Sequence, residues 1–140
     1  MPKNQEIKFS MTYRVPTHII YKTLTDQMET CRFTQGPSVV EPKPDGQYMI
    51  YDGMITGTFV SVEENAKIVQ KWRMKDWPAD VYSLVTMTFT GSDDSTELTI
   101  DQVEIPEYDT YGKFVHLDNL ENGWKQMIFQ RIEQVFGYPI

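Results

Sequence analysis

The sequence predicts an α+β fold in which a long C-terminal helix packs across a curved antiparallel sheet of about seven strands. Three observations predict it. Between Asp118 and Ile140, Leu120, Trp124, Met127, Ile128, Ile132 and Val135 recur at spacings of three and four, which makes one side of a long helix apolar. From Ser38 to Ile105 the chain is a succession of short β-rich runs separated by turn residues. Ahead of these, Ile7, Phe9, Met11, Tyr13 and Val15 alternate with Lys8, Ser10, Thr12 and Arg14, the pattern of a half-buried strand.

The elements follow in order. Pro16 stops the first strand and suits the first position of a helix, and Ile19, Ile20 and Leu24 give that helix a short apolar stripe. A second helical piece spans roughly Asp26 to Phe33. Val39 and Val40 form a short strand, and Pro44-Asp45-Gly46 makes a turn. Tyr48 to Tyr51 and Met54 to Val62 flank Asp52-Gly53, a pair that favours the positive φ angles of a type I′ hairpin. Glu63-Glu64-Asn65 reverses the chain into Lys67 to Met74. The loop Asp76 to Asp80 leads to a strand from Val81 to Phe89, and a polar turn from Gly91 to Ser95 leads to Glu97 to Ile105. In that last strand the apolar set changes phase, from Leu98 and Ile100 to Val103 and Ile105, so a bulge is expected near Gln102.

The final helix is marked at both ends. Asp118 with Glu121 makes a capping-box pattern, while Gly137 can turn left-handed and Pro139 cannot continue the helix. Phe129 and Phe136 widen its apolar face, which calls for a broad partner such as a sheet. Curling a sheet around such a helix commonly leaves a groove or cavity between them.

At 140 residues the chain is expected to be one domain, 1–140, with a core that needs no disulfide or metal. Thirteen basic and twenty acidic residues give a net charge of −7, which argues against nucleic-acid and anionic-membrane partners. The single cysteine, Cys31, suggests a reducing compartment. The opening residues lack a signal-peptide core, so a soluble, cytoplasmic protein is expected.

Signals for catalysis are thin. His18 and His116 are remote from one another and neither has metal-ligand spacing. Cys31 has no histidine beside it and reads as a buried or half-buried thiol. Asp93, Asp94 and Glu97 read as solvated turn residues, and no glycine run matches a phosphate cradle. No catalytic residue, cofactor or metal is expected.

The run from Lys67 to Lys75 says more. Ile68, Gln70, Trp72 and Met74 share one face; Lys67, Lys71, Arg73 and Lys75 share the other, with only Val69 between them. Such a face is either a solvated exterior or a docking stripe for an acidic protein surface, where charge speeds and orients encounter. Trp77 either plugs the end of the core, the preferred reading, or stands exposed as a contact anchor and joins the stripe.

Lys71-Trp72-Arg73, Trp77-Pro78, Thr96-Glu97-Leu98, Ile105-Pro106, Gly123-Trp124 and Phe136-Gly137-Tyr138, with Gly46-Gln47-Tyr48 and Asp52 to Gly57 upstream, are similar in order and spacing to the C-terminal domain of the activator of Hsp90 ATPase family. The likeness covers nearly the whole chain. It implies the START/Bet v 1-like helix-grip fold and a non-enzymatic co-chaperone that binds Hsp90. The chain departs from the family where Met127-Ile128 replaces a tyrosine pair and FGYP replaces FGYG. Its segment from Pro106 to Gly123 is also longer, with Tyr108, Tyr111 and Phe114 in it. The chain begins at the strand that opens the C-terminal domain, so it is read as either an excised domain or a short stand-alone paralogue.

Two functions from different classes follow. The first is an Hsp90 ATPase activator that favours the chaperone's closed state through the basic stripe, the Trp77 loop and the 108–114 segment. The second is a carrier of a small apolar ligand, with Trp72, Trp124, Met127 and Phe129 as cavity walls. Apolar residues at core periodicity need no ligand, so a filled core is preferred to an open pocket.

Overall fold

The computed structural model describes residues 5–91 and 94–139. Seven strands make one sheet: β1 (Gln5–Tyr13), β2 (Val39–Val40), β3 (Gln47–Ile50), β4 (Ile55–Glu63), β5 (Lys67–Met74), β6 (Ser83–Gly91) and β7 (Thr96–Ile105). Every pairing is antiparallel and the spatial order is β1-β7-β6-β5-β4-β3-β2, so the first strand of the chain is paired to the last. Helices α1 (Thr17–Thr25) and α2 (Gln27–Thr34) carry the chain from β1 to β2. The C-terminal helix consists of α3 (Leu117–Gly123), a π-helical turn (Trp124–Phe129) and α4 (Gln130–Phe136). This is the α+β helix-grip arrangement expected from the sequence.

Alternation assigns the two faces of the sheet. Tyr13, Ile68, Val85, Ile100 and Phe59 are buried on the inner face with Ile128, Phe129 and Ile132 of the helix. A bulge lies where β1 uses two residues and β7 three: Ile7 pairs with Gln102, but Gln5 pairs with Ile105. Glu104 takes the left-handed conformation there, with φ 63°. The inward set is therefore Leu98, Ile100, Gln102 and then Ile105, and Val103 stays half-buried. A second bulge, between Phe59 and Ser61 of β4, leaves Val60 exposed.

Several local expectations are corrected. Ile50 pairs with Ile55, so the β3–β4 hairpin closes on four residues instead of the two of a type I′ turn; Tyr51, Asp52 and Gly53 all have positive φ. Tyr51 leaves the strand, and its hydroxyl donates to the Met127 carbonyl in the π turn. At the helix start no capping box forms. His116 occupies the cap without a side-chain hydrogen bond, Asp118 falls in the first turn, where a negative charge suits the helix dipole, and Glu121 pairs with Lys125 at 2.8 Å. Pro16 stands one residue ahead of α1, at its cap. Other marks match expectation: Asp26 caps α2, accepting from the Glu29 N–H at 3.3 Å, and Gly137 ends α4 at φ 73°. The polar turn before β7 lies partly outside the described residues, Asp93 included.

The helical periodicity read from the sequence is interrupted by the π turn. The Gln130 N–H donates to the Lys125 carbonyl, five residues back. With i→i+5 bonding, residues five apart fall nearly in line. Trp124 and Phe129 thereby share the inner face, their rings stacked at 6.0 Å. A regular α-helix would set them well over 100° apart. Tyr13 of β1 donates its hydroxyl to the Phe129 carbonyl at 2.8 Å, so two carbonyls of the wide turn are held by phenols from opposite ends of the sheet.

Burial pushes the Tyr13 phenol well above its ordinary range, with the nearby Glu133 carboxylate adding to the effect, and burial does the same to Tyr48. Each folded-state pKa exceeds its unfolded value, so the stability from keeping these phenols neutral is complete below about pH 10 and is lost as pH rises further. Urea denaturation across pH 8–12 is expected to show a loss of about 1.4 kcal/mol per pH unit for each buried phenol above pH 10. Tyr13→Phe should remove about half of that dependence, leaving the Tyr48 share; an equally steep fall in the variant would assign it to other groups.

Candidate functional site

Two features of the inner and outer faces are candidates, and β5 contributes to both. On the inner side a cavity of about 250 Å³ lies between β5, the C-terminal helix and the segment that precedes the helix. Its floor is buried and aromatic: Trp72, Trp77 and Trp124, with Ile55 and Ile128. Its mouth is formed by Asp76, Asp109, Phe114, His116 and Asn119. Among the described residues no lysine or arginine lines it.

The three tryptophans of the chain form one cluster. Trp72 is central, stacked on Trp124 at 5.4 Å and 19° and edge-on to Trp77 at 5.6 Å. A buried hydrogen-bonded chain fixes Trp124. Its indole N–H donates to Gln102 Oε1 at 2.9 Å, Gln102 Nε2 donates to Ser83 Oγ at 2.8 Å, and Ser83 Oγ donates to the Trp72 carbonyl at 2.8 Å. Helix, β7, β6 and β5 are thus joined through polar groups with defined directions. Next to this chain, Trp72 Nε1 and both amide atoms of Gln70 are buried with no hydrogen-bond partner among the described residues. Each such group costs about 1–3 kcal/mol.

Of the expected cavity walls, Trp72, Trp124 and Met127 line the cavity. Phe129 does not. It is fully buried in the core against Phe9, Tyr13 and Trp124, because the π turn rotates it inward. The preferred reading of a completely filled core gives way to an open cavity. Gly123, in the helix wall, borders that space, and a Cβ there would meet nothing within 4 Å.

On the outer face Lys67 and Lys71 are exposed, as is Lys75 just past the strand end. Their neighbours on adjacent strands are mostly uncharged: Thr58 and Leu84 flank Lys71, while Glu63 and Thr88 flank Lys67. Among the described residues the ion pairs are Lys22–Glu29 and Lys125–Glu121, and neither includes a stripe residue. Arg73 is different. Its Nη2 donates to the Trp77 carbonyl at 2.7 Å, its Nε donates to the Met74 carbonyl at 3.3 Å, and its guanidinium lies 5.8 Å from the Tyr82 ring. Arg73 therefore braces the turn that carries Trp77. Trp77 itself is 3% exposed, so it plugs the core and presents no exposed anchor.

The segment from Pro106 to His116 forms a small hairpin, with Tyr108 and Phe114 bridged and their rings edge-on at 5.8 Å. The Asp109 carboxylate accepts from the N–H groups of Tyr111 and Lys113, both at 2.9 Å, and the Thr110 N–H donates to the Asp76 carbonyl. Tyr111 is 77% exposed at its tip. The His116 ring lies 5.3 Å from the Phe114 ring, tilted by 59°. His18 is exposed and Cys31 half-buried, and among the described residues no three His, Cys, Asp or Glu side chains converge on a metal-sized site.

A family model described as Activator of Hsp90 ATPase homolog 1-like protein matches residues 14–137. The chain belongs to this family. It is 29% identical over 133 residues to the human activator of 90 kDa heat shock protein ATPase homolog 1, covering 95% of this chain and 37% of that protein. It is 24% identical to the Hsp90 co-chaperone AHA1 of Saccharomyces cerevisiae, covering 91% of this chain and 36% of that one. The chain thus spans little more than a third of the length of these relatives. A crystal structure of an HSP90 activator from Plasmodium falciparum superposes with a TM-score of 0.90 at 30% identity, covering 96% of this chain and 97% of that one. The family resemblance read from the short motifs is therefore correct, and Gly123-Trp124 of that motif set meets at the cavity.

Replacing Gln102 with Met keeps the side-chain length but leaves the Trp124 N–H buried and unpaired. Urea denaturation is expected to show a loss of about 2–3 kcal/mol, with Trp124 fluorescence shifted. A loss under about 0.5 kcal/mol would mean that the polar chain does not hold the helix.

Proposed function

We propose that residues 1–140 act as one module, a non-enzymatic Hsp90 co-chaperone that binds the chaperone and favours its closed, ATP-hydrolysing state. The observation that carries this reading is the near-complete overlap with a solved protein named an HSP90 activator, at a TM-score of 0.90. A cytoplasmic location goes with that partner. The mechanism is differential affinity: a binder shifts a conformational equilibrium only as far as it prefers one state. Lys67 and Lys71, exposed and without ion-pair partners among the described residues, suit an acidic surface of Hsp90, with Lys75 at the stripe's end. Arg73 and Trp77 support the same contact from below, by holding the turn in shape.

A second reading is favoured by one observation, the cavity of about 250 Å³ beneath the helix. It is that a small apolar molecule occupies this space. The two readings use opposite faces of β5 and are compatible.

Lys67→Gln with Lys71→Glu is expected to weaken binding to Hsp90 by about tenfold or more and to flatten its dependence on salt, with the melting temperature unchanged. Titration with and without a non-hydrolysable ATP analogue measures both the contact and the preference for the closed state. Unchanged affinity and salt slope would remove the stripe from the contact; equal affinity with and without the nucleotide would remove the proposed bias.

A further inference from the structure

We infer that the exposed side of the hairpin carrying Tyr108, Tyr111 and Phe114 is a docking surface for a basic segment of a partner protein, with arginine as the side chain it takes. The surface lies outside the cavity. The inference does not rest on the Hsp90 reading: the β5 stripe is basic and suits an acidic partner, whereas this surface has the opposite sign. Three observations converge on it. First, half of the exposed large apolar side chains among the described residues lie on this one hairpin, Tyr108, Tyr111 and Phe114 being 50%, 77% and 46% exposed. Aromatic side chains left together in solvent are of the kind that anchors protein contacts. Second, their frame is fixed before any partner arrives. Asp109 Oδ1 accepts from the Tyr111 and Lys113 N–H groups, the Asp109 N–H donates to the Lys113 carbonyl at 2.8 Å, and Gly112 turns at φ 78°. The Thr110 N–H ties the hairpin to the Asp76 carbonyl at 2.7 Å. A preformed loop loses less conformational entropy on binding.

Third, charge selects the partner. The Thr110–Asp76 bond sets Asp76 beside the hairpin, and Asp76 and Asp109 share the rim of the cavity mouth. Glu107 lies in the hairpin and Asp118 just beyond it, against one cation, Lys113. Among the described residues neither Asp76 nor Asp109 has an ion-pair partner. Exposed aromatic faces beside unneutralised carboxylates suit a guanidinium, which stacks flat on a ring and bonds a carboxylate with its forked N–H groups; an ammonium does this less well. An acidic segment would be repelled, and a purely apolar one would desolvate the carboxylates without giving them a partner.

The test titrates the whole chain, isotopically labelled, with blocked peptides of equal length in which glycine alternates with arginine, lysine or glutamate, and follows the backbone amide resonances. The arginine peptide is expected to bind about threefold more tightly than the lysine peptide and the glutamate peptide not at all, with the shifts centred on residues 107–114 and Asp76. Tyr111→Ser, at the exposed tip, should weaken the arginine peptide by about twofold to threefold and the lysine peptide by less, at an unchanged melting temperature. Asp76→Asn with Asp109→Asn, which retains an acceptor oxygen at position 109, should weaken both by about fivefold. Glu63→Gln with Glu97→Gln removes the same charge from exposed positions on the sheet and should change neither. Equal binding of the arginine and lysine peptides, shifts centred elsewhere than the hairpin, or equal weakening by the two double variants would overturn the proposal. So would hairpin shifts that depend on protein concentration alone, which would give the surface to a second copy of the chain.

Discussion

The hydrogen-bonded chain from Trp124 through Gln102 and Ser83 to the Trp72 carbonyl is the constraint on which the remaining geometry depends. Apolar packing alone would hold the C-terminal helix against the sheet, but it would leave rotation and sliding only weakly specified, since burial is nearly indifferent to direction. A directional chain that crosses three strands fixes one rotation. With that rotation set, the Met127 and Phe129 carbonyls meet the hydroxyls of Tyr51 and Tyr13, which belong to opposite ends of the sheet. Arg131 adds a further tie, donating to the Phe33 carbonyl of α2 at 3.0 Å. The π turn is the local adjustment that lets all of these contacts form together, because it advances Phe129 onto the side already occupied by Trp124.

The cavity follows from the same arrangement. The helix is seated firmly where Phe129 and Ile132 are fully buried, and a space remains beside its earlier turns, where Gly123 supplies no side chain. The gap is then covered by the hairpin from Pro106 to His116, which is pinned by the Thr110–Asp76 backbone bond and stiffened by the Asp109 carboxylate. The hydrogen bonds from Arg73 to the Met74 and Trp77 carbonyls hold the opposite rim. The three segments concerned, around Arg73, Asp109 and Gly123, are each local, but they are remote from one another in sequence. Their meeting is a property of the tertiary structure.

That explains what could be read from the sequence. Alternation located the first strand and turn residues bounded the other six, while the spacing of Leu120, Trp124, Ile128 and Ile132 located the helix, because burial of one face imposes a period that survives in any single chain. Gly137 marked the helix end through its own backbone freedom. The misreadings share a cause. Phe129 looked like a cavity wall because a uniform period of 3.6 was assumed, and the π turn is stabilised by tertiary partners that no local pattern records. Asp118 looked like a cap, but the chain enters the helix one turn's fraction earlier, at His116. Arg73 looked free because its carbonyl acceptors lie across a turn. Gln70 and Gln102 did carry a readable signal: each is an amide at an inward strand position, where an apolar residue is the rule. Polar groups at such sites are either satisfied in a network or left for something else to satisfy.

Gln70 and Gln102 are in register across Val85, one on each side, yet their fates differ. Gln102 is engaged at both amide atoms and joins helix to sheet; Gln70 is engaged at neither. Stability alone does not account for the second, since an apolar residue of similar volume would remove the desolvation cost. The same holds for Gly123 in the helix and for the Trp72 N–H. These departures from the most stable choice lie at or beside the aromatic cluster: Gln70 two residues from Trp72 on the inner face of β5, and Gly123 next to Trp124. On the outer side of the same strand, Lys67 and Lys71 form a departure of another kind, exposed positive charges in an acidic protein without ion-pair partners among the described residues. Such concentrations of locally unfavourable choices are expected where a surface or a space is kept for a partner. β5 carries one on each face, so a change of occupancy within the cavity and a contact on the exterior would act on the same short length of backbone, between Lys67 and Met74.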